Sequence, residues 1–514
     1  MAPPAKSHAG GDAEIHDDIQ LLHSMGYAQE LLRRMGGFSN FAISFSIICI
    51  LSGGINSMAQ GVSGTGGGAL AIGWLVGCGL TLFFGLAMAQ IGSSYPTAGG
   101  LYHWASILGG RFPGWVTAWL NLVGLVTVLG AINVGTFFFF IGAFGPALGI
   151  EPTYTNQIIF MILVTGSQAL INHLGIRLTS LLTDLSGYII FFGAIALALT
   201  LFFCAPTWDF SRLVTFANYS GDAGGGVWPQ TDSTFYLFLL GLLLPIYTIT
   251  GYDASAHTAE ETIGAAHHVP RGIVGSIVWS GLFGWFFLAA FALAMPDVGE
   301  AAKQGWNVFF WTMDQIVPVG LKYFLYAVIL VAQYLCGLAT VTSASRMIFA
   351  FSRDGGLPGS DTLKKVSARW RTPVAAIWTG AILAVLFTAE TSVYSTIVSV
   401  TVIFLYISYG VPIALGLFAY GKTWKRMGPW SMGAWFKIVA VICVLIDILI
   451  FYIGVQPPND KALWITVIFL VITAVVWFAL ENRRFQGPPM GEMIKMRQDH
   501  IRAAEAAVGE TGGL

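Results

Sequence analysis

Asp253 lies inside a long apolar stretch, at the end of the run Thr248-Ile249-Thr250-Gly251-Tyr252-Asp253 and shortly after Pro245. A carboxylate at the middle depth of a membrane is costly and is functional by default. Its chemistry there would be to bind an amine or to carry a proton. A second use is structural. An Asp that opens the second half of a broken helix satisfies free amides and suits the helix dipole. The sequence leaves both uses open for Asp253.

A matching interruption, Leu51-Ser52-Gly53-Gly54-Ile55-Asn56, lies in the middle of the first apolar stretch. Lipid cannot satisfy backbone groups, so such breaks are tolerated where the freed groups face a cavity or a ligand. Half-helix amide ends attract a carboxylate, and freed carbonyls attract an ammonium group or a metal ion. Candidate solute contacts are Ser52, Gly53, Gly54, Ile55 and Asn56 on one side, and Tyr247, Thr250, Gly251, Tyr252 and Asp253 on the other. Close helix packing explains Gly53-Gly54 equally well. Paired breaks at corresponding positions of two halves favour a transport site.

Composition sets the elements that hold these residues. The chain has 514 residues, 55% hydrophobic and only 10% charged, against about 25% charged in soluble proteins. That leaves too little polar sequence for a soluble shell. Blocks longer than about 18 apolar residues read as spanning helices. Twelve are expected, at 38–62, 69–92, 114–144, 156–173, 178–204, 234–262, 273–295, 322–352, 373–388, 393–420, 432–455 and 462–480. With the N-terminus inside, the inner loops and tails carry most of the Lys and Arg, including Arg111, Arg177, Arg271, Arg353, Lys364, Lys365 and Arg483. The outer loops carry only Arg212, Lys303, Lys322 and Lys461. That parity predicts cytoplasmic termini. Trp115, Trp208, Trp228, Trp424 and Trp464 stand at block ends and suit interfacial belts. The outer segments 205–233 and 296–321 are expected to fold over the mouth as short pieces. Residues 1–37 form a polar tail without a cleavable leader, and the tail from Phe485 reads as loose. The five cysteines are scattered and show neither metal-ligand nor disulfide spacing. Net charge is −1, so nothing points to nucleic acid.

Three motifs carry a family resemblance. Ser94-Tyr95-Pro96-Thr97-Ala98-Gly99-Gly100-Leu101-Tyr102-His103-Trp104 resembles the loop after the second helix of the amino acid–polyamine–organocation superfamily. Gly251-Tyr252-Asp253-Ala254-Ser255-Ala256-His257-Thr258-Ala259-Glu260-Glu261-Thr262 resembles its sixth-helix motif, most like the amino acid/choline branch with its γ-aminobutyrate and choline permeases. Ser343-Ala344-Ser345-Arg346, running on to Phe351-Ser352-Arg353-Asp354-Gly355-Gly356-Leu357-Pro358, resembles the end of the eighth helix. The resemblance covers 38–480. It implies an all-α polytopic protein of the leucine-transporter type: five plus five inverted helices and two more. The units would be 38–204 and 234–420, joined by an outer loop at 205–233, with helices eleven and twelve in 421–480 and a cytoplasmic tail over 481–514. It also implies secondary active transport by alternating access, driven by a proton or sodium gradient, in the plasma membrane.

Further candidates follow from that fold. Asn121 and Asn133 lie in the third helix, which would line the cavity; Asn133 is a candidate contact, whereas interhelical bonding is preferred for Asn121. Thr342, Ser343 and Ser345 offer hard oxygens to sodium, although such residues more often bond to their own backbone. Some relatives carry a fifth-helix lysine in place of sodium, and residues 181–192 have none. Asp184 should reach the inner interface, and Asp447 should pair with a polar group on a neighbouring helix. Arg33 or Arg34 is expected to close an inner gate by pairing with Glu260 or Asp354.

A membrane enzyme would need a catalytic cluster. His257 with Glu260 and Glu261 comes nearest, but it has no second ligand at metal spacing. A channel would want a repeated filter sequence, and none is present. The expected function is therefore ion-coupled transport of a small amine, with no cofactor. An amino acid of the γ-aminobutyrate type is preferred, because a choline box wants several aromatics and only Tyr247 and Tyr252 flank the break. Choline, a polyamine, or a non-transporting nutrient receptor of the same fold are the alternatives.

Overall fold

The computed structural model describes residues 8–390 and 394–509. The expected start of the tenth span at Val393, Met1 to Ser7 of the N-terminal tail and the last residues of the C-terminal tail lie outside them. Among the described residues, ten helices are long and apolar enough to cross a bilayer, and two shorter apolar ones, Thr234–Thr248 and Val374–Ala389, complete twelve crossings. The fold is all-α and polytopic. An even number of crossings puts both termini on one face.

The first and sixth spans are the broken ones. Span one consists of Gly37–Ile48, Gly53–Asn56 and Met58–Thr65. Its interruption begins at Cys49, whose φ of 25° lies in the left-handed region. Span six consists of Thr234–Gly241, Leu243–Thr248, Ala254–His257 and the single turn Ala259–Glu261. Gly251 turns its chain with φ 84°, and any Cβ there would run into Ile47. The two breaks touch, since a Cβ on Gly53 would come 2.9 Å from Thr248 Cα. Glycine is needed at both points, once for backbone conformation and once for close approach.

The third span, Arg111–Leu148, packs against the eighth, Val319–Arg353, and the tenth, Tyr394–Ala419. These three enclose the breaks. The fourth, fifth, eleventh and twelfth spans present Leu163, Phe192, Leu445 and Phe478 outward as a lipid-facing surface. Not all of the block-end tryptophans join it. Trp208 and Trp464 are exposed, but Trp115, Trp228 and Trp424 are buried, because each closes a packing gap between elements. Trp228, for example, reaches down from the 205–233 segment and donates to the Gln60 carbonyl at 2.9 Å. That segment and 296–321 do form short helical pieces, among them Phe210–Leu213 and Val298–Lys303.

The tail after Phe485 is not loose. Phe485 and Ile501 are buried anchors, and the helix Gln498–Val508 sets Glu505 against His23 at 2.6 Å and the Gln29 amide at 2.9 Å. Its polar composition concealed these few contacts.

Candidate functional site

Ser44, on the first piece of span one, bridges to span six. Its hydroxyl donates to the Tyr252 carbonyl and accepts from the Ser255 amide, each at 2.9 Å. Ser44 is thus the cap of the piece Ala254–His257. Asp253 makes no side-chain cap bond, so the structural use open to it in the sequence is already filled by another residue.

Asp253 is instead fully buried and faces three spans. Oδ1 accepts from the Tyr409 hydroxyl of span ten at 3.0 Å. Oδ2 accepts from Asn121 Nδ2 of span three at 3.1 Å and lies 3.2 Å from His257 Nε2, one turn further along span six. Tyr409 also takes the Gly251 amide at 3.2 Å. Asn121 does bond between helices, as expected, but its partner is the site carboxylate. Asn133 lies elsewhere. Its amide bonds Thr165 at 2.9 Å and Gln168 at 2.8 Å on span four.

The freed carbonyls at the breaks are held by side chains of neighbouring spans. Gln333 of span eight donates to Leu51 O at 3.1 Å, and the Tyr406 hydroxyl of span ten lies 3.2 Å from Ile246 O and from Ile249 O. Thr250 bonds back to Tyr247 O at 2.8 Å. Ser52, Gly53, Thr250, Gly251 and Tyr252 are therefore gathered at one buried seam, with the Tyr252 ring 4.9 Å from that of Tyr409.

A cavity of about 500 Å³ opens beside this seam towards the face opposite the termini. Ile55 and Asn56 line it, together with Gly135, Phe139, Trp306 and Tyr394. Gly54 lies in the same short helix and sits 3.5 Å, as a built Cβ, from Phe287. Tyr394 lines the cavity, and Tyr247 is buried in span six just before its break.

The termini-bearing face is closed by charge pairs other than those expected. Glu260 is paired with Arg353, not Arg33, at 2.7 and 2.9 Å. Arg33 clamps the end of span six through the carbonyls of Ala259 and Thr262 and lies 3.5 Å from Asp18. A guanidinium at a helix C-terminus meets unpaired carbonyls, which outcompete a more distant carboxylate. Arg34 is exposed. Asp354 accepts from Tyr27 at 2.7 Å and Tyr102 at 3.0 Å, with His103 at 3.3 Å. Burial acts to raise the Asp354 carboxyl, but the hydrogen bond from His103, the Arg353 guanidinium and the Tyr27 hydroxyl outweigh it and hold it below the usual carboxylate value. Arg346 and Glu261 form a fully buried bidentate pair at 2.8 and 2.9 Å.

The three candidate sodium ligands are spread out. Thr342 donates to Asn172 at 2.7 Å, and Ser345 accepts from the Arg346 guanidinium at 3.0 Å. Ser343 is buried without a partner among the described residues. A positive charge already stands at Ser345. Asp184 accepts from Ser39 at 2.9 Å, near the end of span five. Asp447 lies against Gly410, and its Oδ1 has no partner among the described residues.

Arg353 stands in the sequence as an inner-face charge of the eighth-helix motif, without a sign of its partner Glu260. Tyr409, Tyr394 and Gln333 come from spans far along the chain, and no local pattern marks them. His257 did carry a signal: four residues after Asp253, it shares a helix face with it.

Residues 35–477 match the model of a family described as amino acid permease. The chain is 33% identical to the amino-acid permease BAT1 of Arabidopsis thaliana, with 93% of this chain and 98% of that one covered. A BAT1 homolog of Oryza sativa subsp. japonica is 31% identical over 95% and 98%, and amino-acid permease 2 of Neurospora crassa 26% identical over 95% and 91%. A solved sodium-coupled sialic acid symporter aligns with 12% identity and a TM-score of 0.47, over 88% of this chain and 96% of that one.

Proposed function

The chain belongs to the amino acid permease family, and from that premise we propose that it is an ion-coupled carrier of an amino acid of the γ-aminobutyrate type, working by alternating access. That it is a multi-pass membrane transporter of amino acids and not an enzyme follows from the family. The choice of solute and the coupling are the proposal. The observation that carries it is the contact of the two breaks at Gly53 and Thr248, with Asp253 at the seam and a cavity beside it.

In this reading the solute enters past Tyr247 and Tyr394 and displaces side chains that now hold the breaks. Its carboxylate goes to amide ends near Ser52 to Asn56, and its amino group to carbonyls near Thr250 to Asp253. The Arg353–Glu260 pair, the Arg33 clamp and the Asp354 cluster form the closed gate. Excess Lys and Arg on the termini-bearing face supports cytoplasmic termini.

Purified protein in liposomes, given radiolabelled γ-aminobutyrate, neutral and basic amino acids, choline and putrescine under imposed proton or sodium gradients, tests the reading. Accumulation of γ-aminobutyrate above equilibrium is the expected result. Accumulation of choline or putrescine instead would redirect the substrate class, and binding without flux would make the protein a receptor.

A further inference from the structure

We propose that Asp253 and His257 together bind the proton that couples transport to a proton gradient. The inference rests on the transport reading above and names its ion.

His257 Nδ1 lies 3.0 Å from the Ala98 carbonyl, and its Nε2 lies 3.2 Å from Asp253 Oδ2. Both partners are acceptors. A neutral imidazole has one donor nitrogen and one acceptor nitrogen. Either neutral tautomer leaves one contact bare: with the hydrogen on Nδ1 the lone pair of Nε2 points at a carboxylate oxygen, and with it on Nε2 the lone pair of Nδ1 points at the Ala98 carbonyl. Both groups are fully buried, so no water relieves that repulsion. One additional hydrogen between Nε2 and Oδ2 removes it, whether drawn as imidazolium with carboxylate or as imidazole with carboxylic acid. The two distances fit the proton-loaded state. Releasing the proton leaves an acceptor against a lone pair at the piece Ala254–His257, which Asp253 precedes and His257 ends.

The surroundings suit a single exchangeable proton. From span ten, Tyr409 donates to Oδ1, and Tyr406 stands behind it at 5.5 Å between ring centroids. From span three, Asn121 is neutral. The Tyr252 ring packs on Tyr409. Towards the termini stand two charge pairs, Glu260 with Arg353 and Glu261 with Arg346, each closed on itself. Across span ten, the carboxyl of Asp447 on span eleven lies against Gly410.

The pair is also wired to the gate. The main chain of Ala98 presents its carbonyl to His257 and its amide to Glu260 Oε1, at 3.0 Å each. Glu260 is in turn held by Arg353. A change at His257 therefore reaches the closing layer through the backbone of one residue, Ala98. The proton would leave towards the termini-bearing face once that layer parts.

Binding calorimetry on the detergent-solubilised protein, with the solute found in the liposome panel, in sodium-free buffers of different ionisation enthalpy, reads the protons taken up or released on binding. A luminal pH dye in proteoliposomes reads the protons moved per solute. The wild type is expected to move one proton per solute, with Asp447→Asn behaving alike. Any binding by His257→Gln or Asp253→Asn should show no buffer dependence, and any transport by them no proton movement. A wild type that exchanges solute without moving a proton overturns the inference and leaves the transport reading intact. A wild type that neither accumulates nor exchanges any amino acid overturns the transport reading itself. Proton movement that persists in both variants, or that is lost in Asp447→Asn, also overturns the inference. Loss of all binding in both variants would place the pair in solute contact and would equally overturn it.

Discussion

The Ser44 hydroxyl accepts the backbone amide of Ser255 across the gap between spans one and six, at 2.9 Å. One broken helix thus caps the other. Ser44→Ala should lower stability by about 1 kcal/mol, the usual value of an N-cap, and should slow transport, because the cap spans the two moving pieces. Ser44→Thr should recover part of both. Thermal unfolding and uptake in proteoliposomes measure the effects; a Ser44→Ala protein equal to wild type in both would remove this bond from the mechanism.

Gly251 combines a left-handed backbone with contact to Ile47. Gly251→Ala should cost about 1–2 kcal/mol from the backbone alone, plus the clash with Ile47. Adding Ile47→Ala should recover the clash and not the backbone part. A double-mutant cycle on unfolding free energy separates them, and full recovery in the double variant would contradict the backbone argument.

The Arg346–Glu261 pair is wholly buried. Removing one partner leaves an uncompensated charge, at about 3–5 kcal/mol, while replacing both with apolar residues costs far less. Arg346→Met and Glu261→Leu should each destabilise strongly, and the double variant should be the more stable of the three. Thermal melts in detergent give the order.

Asp354 titrates below its usual value in the folded protein. A depressed carboxyl stabilises at pH above its unfolded value, and that contribution is lost as pH falls through the folded one. Acidification below the ordinary carboxylate range should therefore loosen the contacts of Asp354 with Tyr27 and with Arg497, 3.6 Å away. Limited acid proteolysis of the C-terminal tail reads this. Asp354→Asn should be cut at neutral pH as the wild type is only in acid.

Much of the fold was legible because lipid imposes long apolar blocks and Lys/Arg parity. The breaks were legible because Gly, Ser and Thr runs stand out inside such blocks. Side-chain partnerships were not. Asp253 reads as a cap in one dimension, yet Ser44, more than two hundred positions away, takes that role. The gate showed the same limit. Arg33, Glu260 and Asp354 do meet at the termini-bearing face, but local geometry decided which cation took which carboxylate. Trp228 read as interfacial because it ends a block, while its indole is spent inside the protein.

The link from His257 to Glu260 runs through the main chain of Ala98 and not its side chain. Such a joint is hidden from sequence drift. Ala98 can be exchanged for any residue small enough for its buried place, and the connection survives. Only proline, which lacks the amide hydrogen, severs it at Glu260. Natural variation at this position would report the space available and stay silent about the joint.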